Sequence, residues 1–189
     1  MSITSEFTAS PQVWIMTHTY LVLQGNNPAG PNFNTGSQYV RFTDANTGPG
    51  TCFLESASWF SLDRFKAFLL TADPNSDNSH ALPNDVNFFL TADMHGCQFL
   101  AYGADRNNLT VEHNNYFANP ANYAVQHAAI NGGGHNVMIA LRPANVAAPA
   151  ADQYNFPMGA NVVGVRKADG WHFYVRVSTT QAYGGTREL

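Results

Sequence analysis

The 189-residue chain is poor in charged residues, which make up only 12% of it, and its formal net charge is −4. The two lysines and seven arginines are scattered along the sequence. They form no basic stripe that could neutralise a phosphate backbone. No apolar run approaches the roughly 18 residues that a membrane helix needs. We therefore expect neither nucleic acid nor a membrane as a partner.

Cysteine is scarce as well. Cys52 and Cys97 are the only two cysteines, too few for a disulfide framework. We expect both to be free thiols, with Cys52 a small core residue of a strand. The N-terminal segment, residues 1–12, lacks the cationic and apolar regions of a cleaved signal peptide. We expect a chain that is not exported by that route.

What the sequence does contain is typical of one ordered domain spanning residues 1–189, with 44% hydrophobic and 13% aromatic residues. Twenty Asn, fifteen Gly and ten Pro divide it into short runs. Most runs alternate or are rich in Val, Tyr, Phe and Thr, which favours a strand-dominated fold. The predicted strands are 12–23, 37–43, 50–55, 86–91, 96–102, 109–113, 135–142, 160–167 and 171–178.

Two helices are predicted among these strands. The first begins after Ser61 and spans residues 61–72, with apolar residues at helical spacing. The second spans residues 119–131, with Asn as N-cap, Pro at the first helical position and Gly after its end. The Asp-Gly pair at 169–170 predicts a short hairpin turn, and residues 146–151 are predicted to be a loop.

A further hairpin, within residues 86–115, carries the chemistry. The Gly, Asp and Asn residues of segment 103–108 favour a chain reversal. If the hairpin is centred on Asp105, Cys97 stands directly opposite His113, with Cβ atoms about 5 Å apart. An even-numbered slip would leave them diagonal on the same face. The other residues of the face that holds both are apolar. The whole face consists of Cys97, Phe99, Ala101, Leu109, Val111 and His113.

This pairing predicts a catalytic thiol. A free thiol is mostly protonated at neutral pH, and a neighbouring imidazolium lowers its pKa toward an ion pair. Cys97 is therefore the candidate nucleophile and His113 the candidate acid and base. The backbone N–H of Cys97 is the candidate oxyanion donor, with Gly96 permitting close approach or simply forming a turn. A buried Cys and a structural His are the competing interpretation.

Residues 86–115 resemble a family of bacterial glutamine deamidases that includes the Burkholderia lethal factor, the catalytic domain of cytotoxic necrotizing factor and the chemotaxis receptor deamidase. The motif is Met94-His95-Gly96-Cys97 followed by His113, with Thr91 six residues before the cysteine. Met94 and His95 stand where the two toxins have Leu and Ser. The lethal factor is also similar in its Phe-Phe pair before the nucleophile and its Val-Val-Gly element, matched here by 88–89 and 162–164.

The resemblance implies an α+β fold, a β-sandwich of mixed sheets flanked by helices in a single domain. It implies deamidation of glutamine on a target protein through a thioester, with Thr91 orienting the imidazole of His113. No cofactor and no metal are expected, and the protein is expected to be a monomer. It further implies an effector or toxin that resides in the bacterial cytoplasm before delivery into a host or competitor cell.

Three alternatives remain open. Another thiol hydrolase or a transglutaminase-like enzyme would use the same Cys and His, with Asn114 or Asn115 orienting the ring. A non-catalytic β-sandwich module would bind a glycan or protein surface through Asn and aromatic side chains. A zinc site would need the imidazoles and the thiol to converge, although no CxxC or HxxxH spacing occurs. Its candidate ligands are His95, Cys97, His113, His127 and His135.

Overall fold

The computed structural model describes residues 2–22, 34–44, 51–71, 77–115, 121–144, 153–155, 159–177 and 185–189. Over these residues the chain forms one α+β domain of two mixed sheets and three short helices, which confirms the expected fold class. The helices are α1 (Ile3–Ala9), α2 (Pro11–Thr17) and α3 (Ala121–Asn131). The strands are β1 (Thr19–Val22), β2 (Gly36–Asp44), β3 (Thr51–Ser56), β4 (Phe65–Leu70), β5 (Asp77–Ala81), β6 (Phe88–Thr91), β7 (Gln98–Asp105), β8 (Asn108–Asn114), β9 (Val137–Ala144), β10 (Gln153–Asn155), β11 (Ala160–Lys167), β12 (Gly170–Val177) and β13 (Gly185–Glu188).

The larger of the two described sheets has the order β1-β3-β2-β4-β6-β11-β12-β13, and the smaller has the order β10-β9-β7-β8-β5. Strand pairs β1–β3, β4–β6 and β9–β10 are parallel, and the other described pairs are antiparallel. The chain therefore crosses between the sheets when it passes from β6 to β7.

Two apolar cores lie on the two faces of the large sheet. The first packs that sheet against the small one through residues such as Phe89, Phe99 and Phe173. The second packs its other face against α1 and α2, with Phe7 and Trp14 against Phe42 (ring centroids 5.1 and 4.5 Å). The large sheet is thus covered on both faces, so its central strands need apolar side chains in both directions.

Strand β4 occupies the segment that was predicted to be a helix at 61–72, and that prediction is wrong. Phe65, Ala67 and Leu69 enter the core beneath the helices, while Phe68 and Leu70 enter the core between the sheets. A strand buried on both faces is a continuous apolar run, and such a run matches helical spacing by coincidence.

The first predicted strand, 12–23, is correct only at its end. Residues 11–17 form α2, with Pro11 at its first turn and Trp14 and Ile15 buried. Pro is favoured at that position because its missing N–H is not needed there. Strand β1 then follows at Thr19–Val22.

The other eight predicted strands and the Asp-Gly hairpin are confirmed, with small differences at their ends. The second predicted helix is confirmed over Ala121–Asn131, and its predicted N-cap and proline at 119–120 lie outside the described residues. Helix α1 and strands β5, β10 and β13 were not predicted. The predicted loop at 146–151 lies outside the described residues. Among those that are described, no helix has the length and apolar character needed to cross a bilayer.

Candidate active site

The predicted site residues lie at one end of the sandwich, where the chain crosses from the large sheet to the small one. Thr91 is the last residue of β6, Cys97 directly precedes β7, and His113 is the penultimate residue of β8. The crossing segment is fixed to the large sheet by Met94, which exchanges two backbone hydrogen bonds with Ala160 (2.8 and 3.0 Å). The start of β7 is thereby held beside the ends of β6 and β8.

The register of the β7–β8 hairpin differs from the prediction by two residues. Phe99 is paired with His113, so the predicted direct pairing of Cys97 with His113 is wrong. The shift has two parts. Asp105 pairs with Asn108 at the turn, which displaces the register by three residues, and a bulge between Gly103 and Asp105 reduces the displacement to two along the rest of the ladder. Because the shift is even, Cys97 and His113 remain on one face as diagonal neighbours, about 7–8 Å apart between Cα atoms.

The side chain of Asp105 stabilises this turn. Its Oδ1 accepts hydrogen bonds from the backbone N–H of Asn107 (2.7 Å) and of Asn108 (3.1 Å), and both carboxylate oxygens accept from the Asn108 amide. The bond from the Asn108 side chain is the main cause that lowers the pKa of Asp105. The sequence correctly indicated a reversal at these residues, and the Asp side chain stabilises it.

Cys97 is nearly enclosed in the core between the sheets, with 4% of its surface exposed. Burial raises the pKa of its thiol to about 11, because a charged thiolate loses its hydration there. The nearby backbone N–H of His95 acts in the opposite direction. The thiol is therefore protonated at neutral pH, and the ion pair expected from the spacing is not formed in the free protein.

His113 is fully buried, at 0% exposure. Burial lowers the pKa of its imidazole to about 4, while the carbonyl of Leu70 lies near the ring and opposes this shift. Neither ring nitrogen makes a hydrogen bond of normal geometry to any residue in the described part of the chain. The site thus holds a neutral imidazole whose nearest polar partner is the backbone carbonyl of Leu70.

Thr91 is also fully buried, and it is paired with Leu70 in the β4–β6 ladder. Its hydroxyl oxygen accepts a hydrogen bond from the backbone N–H of Val162 (2.9 Å). This bond joins the end of β6 to β11. Since the ring nitrogens of His113 are not bonded to Thr91 here, the orienting role of Thr91 stays a prediction.

The backbone before the thiol is bound by two tyrosines that the sequence did not indicate. Gly96 has a φ of +89°, which supports its predicted role as a turn residue. Its N–H donates to the hydroxyl of Tyr154 (2.9 Å), and that hydroxyl donates to the carbonyl of Cys97 (2.8 Å). The hydroxyl of Tyr123 donates to the carbonyl of Gly96. The N–H of Gly96 is therefore already bonded in the free protein.

Both phenols are themselves affected by this environment. Burial is the main cause that raises the pKa of Tyr123 and Tyr154, and the nearby thiol of Cys97 raises both further. Both hydroxyls stay protonated at any physiological pH. They remain hydrogen-bond donors to the nucleophile segment.

The opposite face of β8 carries a buried carboxylate, Glu112. It accepts hydrogen bonds from the hydroxyl of Tyr102 (2.5 Å), the amide of Gln126 on α3 (3.1 Å) and the amide of Asn114 (3.2 Å). The Gln126 bond joins α3 to the strand that carries His113. Asn114 is engaged on this face, so of the two residues that the thiol-hydrolase alternative offered for orienting the imidazole, Asn114 and Asn115, the first does not have that role.

The residues proposed as zinc ligands are not brought together. Within the described segments, no group of three His, Cys, Asp or Glu residues has an arrangement that could hold a metal ion. His95 is exposed and packs against Gly159, and His135 lies beside the ring of Tyr102, with ring centroids 4.8 Å apart. Cys52 belongs to the core beneath the helices, as predicted, and both cysteines are free.

Fold and site together define a mixed β-sandwich with a buried Cys and His at one end. No family model matches the chain, and no curated protein matches its sequence. Among solved structures, the chain is similar to the C-terminal domain of CNFy from Yersinia pseudotuberculosis, with a TM-score of 0.44 and 7% identity, covering 87% of this chain and 75% of that chain. A likeness this distant assigns no activity to the chain.

Proposed function

We propose that the protein is a cysteine-dependent amidohydrolase that deamidates a glutamine side chain on a target protein. The observation that carries this proposal is the placement of Cys97 and His113 on one buried face, where neither imidazole nitrogen makes a hydrogen bond of normal geometry to a described residue. Each unsatisfied buried group costs about 1–3 kcal/mol. Such a cost suits a group that exchanges protons during a reaction. The sequence resemblance over residues 86–115 supports the same chemistry.

The first half of the reaction forms a thioester. The glutamine side chain enters beside Cys97, the thiol proton passes to His113, and the sulfur bonds to the carboxamide carbon. The resulting tetrahedral intermediate collapses as His113 returns the proton to the nitrogen, the C–N bond breaks and ammonia leaves. Because both groups are neutral in the free protein, the proton moves only once the carboxamide is in place.

The second half hydrolyses the thioester. Water attacks the carbonyl carbon as His113 takes its proton, the C–S bond breaks, and the proton returns to the sulfur. The products are glutamate on the target protein and a regenerated thiol. No cofactor is required, since one imidazole serves as acid and base in turn.

Two groups assist in this scheme. The backbone N–H of Cys97 is the proposed oxyanion donor. Thr91, the last residue of β6, is proposed to orient the ring of His113. The target protein, and action as a delivered effector or toxin in another cell, are proposed from the sequence resemblance alone.

The test combines proteomic mass spectrometry with ammonia release. Host-cell and bacterial lysates are treated with the wild-type protein or with Cys97→Ala, and peptides that gain about one mass unit at Gln are mapped. We expect discrete Gln-to-Glu sites with the wild type and none with Cys97→Ala or His113→Gln. Cys52→Ala is the matched control, because that thiol lies in the other core, and it should retain activity.

Retention of full activity by Cys97→Ala would contradict the mechanism. Incorporation of an added primary amine at Gln, in place of hydrolysis, would show a transglutaminase-like reaction at the same thiol. Peptide bond cleavage would show a protease.

The second candidate is a non-catalytic β-sandwich binding module. It is favoured by the raised pKa of the Cys97 thiol, since an enclosed, protonated cysteine is also what an inert core position shows. Under that interpretation no treated lysate gains deamidated sites, and replacing Cys97 with Ala alters only stability.

A further inference from the structure

Three of the four polar backbone groups of Gly96 and Cys97 are bonded to tyrosine side chains. They are the N–H and the carbonyl of Gly96 and the carbonyl of Cys97 itself. The two tyrosines come from separate elements, Tyr154 from β10 and Tyr123 from α3. Neither is near the nucleophile in sequence, so the contacts exist only in the folded protein.

The backbone at this point needs such external support. Gly96 has the widest backbone freedom of any residue type and adopts a positive φ of +89° here. It lies before the first residue of β7, so the hydrogen-bond ladder of the sheet does not fix it. The direction of the thiol follows from the backbone on either side of Cys97. Without the two hydroxyls, that direction would be poorly determined.

We propose that Tyr154 and Tyr123 are positioning residues of the nucleophile, which act by holding the Gly96–Cys97 backbone in the geometry that aims the thiol along the His113 face. This proposal rests on the proposed function for its catalytic consequence. Its structural content, a thiol fixed by two phenols, holds for any reaction at Cys97. Tyr154 has the larger effect because its one hydroxyl both accepts from Gly96 and donates to Cys97.

The burial of both tyrosines strengthens the argument. Tyr154 is 1% exposed and Tyr123 is 7% exposed, so no bulk water stands ready to replace a lost hydroxyl. A phenylalanine at either position keeps the ring and its packing and removes only the hydrogen bonds. The buried backbone groups are then left without partners, and the segment opens more often.

Tyr102 provides a matched control. It is a tyrosine of the same sheet, and its hydroxyl donates to Glu112 at 2.5 Å, away from the Gly96–Cys97 backbone. Tyr102→Phe therefore removes a partly buried phenol bond without releasing the nucleophile segment.

The experiment measures the alkylation of each cysteine by iodoacetamide at pH 9, followed by peptide mass mapping, together with steady-state deamidation. We expect Tyr154→Phe to accelerate alkylation of Cys97 by about fivefold relative to the wild type, with Cys52 unchanged. We expect a smaller increase for Tyr123→Phe and none for Tyr102→Phe. In the same variants, kcat should fall by about tenfold or more for Tyr154→Phe with KM changed less than about threefold.

The outcomes separate the two proposals. If Cys97 in Tyr154→Phe reacts as it does in Tyr102→Phe, the positioning role is wrong whatever the activity. If Cys97 and Cys52 accelerate together, Tyr154 supports the whole fold and has no specific role at the thiol, which also overturns it. If Cys97 alone accelerates while even the wild type releases no ammonia, the positioning role stands and the proposed deamidation fails.

Discussion

Phe99 lies directly opposite His113 in the β7–β8 ladder, and Cys97 is the next residue on the same face. The ring of Phe99 also packs against Phe89 and Phe173 of the large sheet, with centroids 5.5 and 5.3 Å apart. A core aromatic residue is therefore the immediate cross-strand neighbour of the proposed acid and base. The position of the imidazole depends on the packing between the sheets.

Replacing this aromatic residue tests that dependence. Phe99→Leu should lower the free energy of unfolding by about 1–2 kcal/mol and reduce turnover by about tenfold, since the imidazole loses its neighbour. Phe68→Leu is the control, because it removes a similar ring from the same core and that ring stacks on Phe89 rather than on Phe99. Urea unfolding and deamidation rates measure both effects. Equal loss of turnover in the two variants would contradict a specific role for Phe99.

The protonation of Cys97 can be measured from the pH dependence of its alkylation. Because burial raises the pKa of this thiol to about 11, the rate in the free protein should keep rising above pH 9 and show no plateau near neutrality. Cys52, whose pKa burial raises to about 12, serves as the internal comparison. A midpoint below pH 8 for Cys97 would instead show a thiolate–imidazolium pair already formed without substrate.

The lowered pKa of the buried His113 imidazole predicts a loss of folding stability in mild acid. Its pKa falls from 6.5 to about 4 on folding, so between these values the unfolded chain binds a proton that the folded chain does not. Stability from this residue is fully present above about pH 6.5 and is lost as the pH falls through 4, a change of about 3 kcal/mol. Urea unfolding at several pH values should give a steeper acid loss for the wild type than for His113→Gln. Parallel curves would show that the imidazole is not buried in the neutral form.

The specific effect of the Gly96 turn on activity can be distinguished from the general cost in stability of a side chain at positive φ. Gly96→Ala should cost about 1–2 kcal/mol, because an L side chain is disfavoured at a φ of +89°, and it should also reduce turnover sharply. Gly134→Ala imposes the same kind of strain at a φ of +74°, at an exposed position with no atom near the added Cβ. It should lose stability without losing activity. Thermal unfolding and deamidation assays on both variants provide the comparison.

The sequence predicted most of the strands because turn residues and alternating side chains are local signals. It failed at β4, where the two faces of one strand enter two different cores and no alternation remains. It failed at residues 11–17 because β-branched and aromatic side chains suggested a strand, whereas Pro11 and the burial of Trp14 against the sheet determine a helix. Both errors arise from tertiary packing that no short window of sequence contains.

The candidate site, like the fold, could be predicted from the sequence only in part. Cys97 and His113 were predicted to share a face, and the structure places them there because period-two alternation survives an even slip. The slip itself arises from the Asp105–Asn108 turn together with the bulge between Gly103 and Asp105, and period-two alternation reveals neither. Tyr123 and Tyr154 gave no signal, since they reach Gly96 from distant parts of the chain. A buried tyrosine needs a hydrogen-bond partner, but the sequence does not say which.

The crossing between β6 and β7 limits which amino-acid substitutions can affect the thiol. Only residues 92–97 connect the two sheets at this point, and Met94 attaches them to the start of β11. Cys97 therefore lies in the segment that connects the two sheets, and its position is determined by the packing of the core between them. Under the proposed function, substitutions on the outer surface would change target recognition and leave the thiol in place, whereas a change of core volume between the sheets would move the thiol.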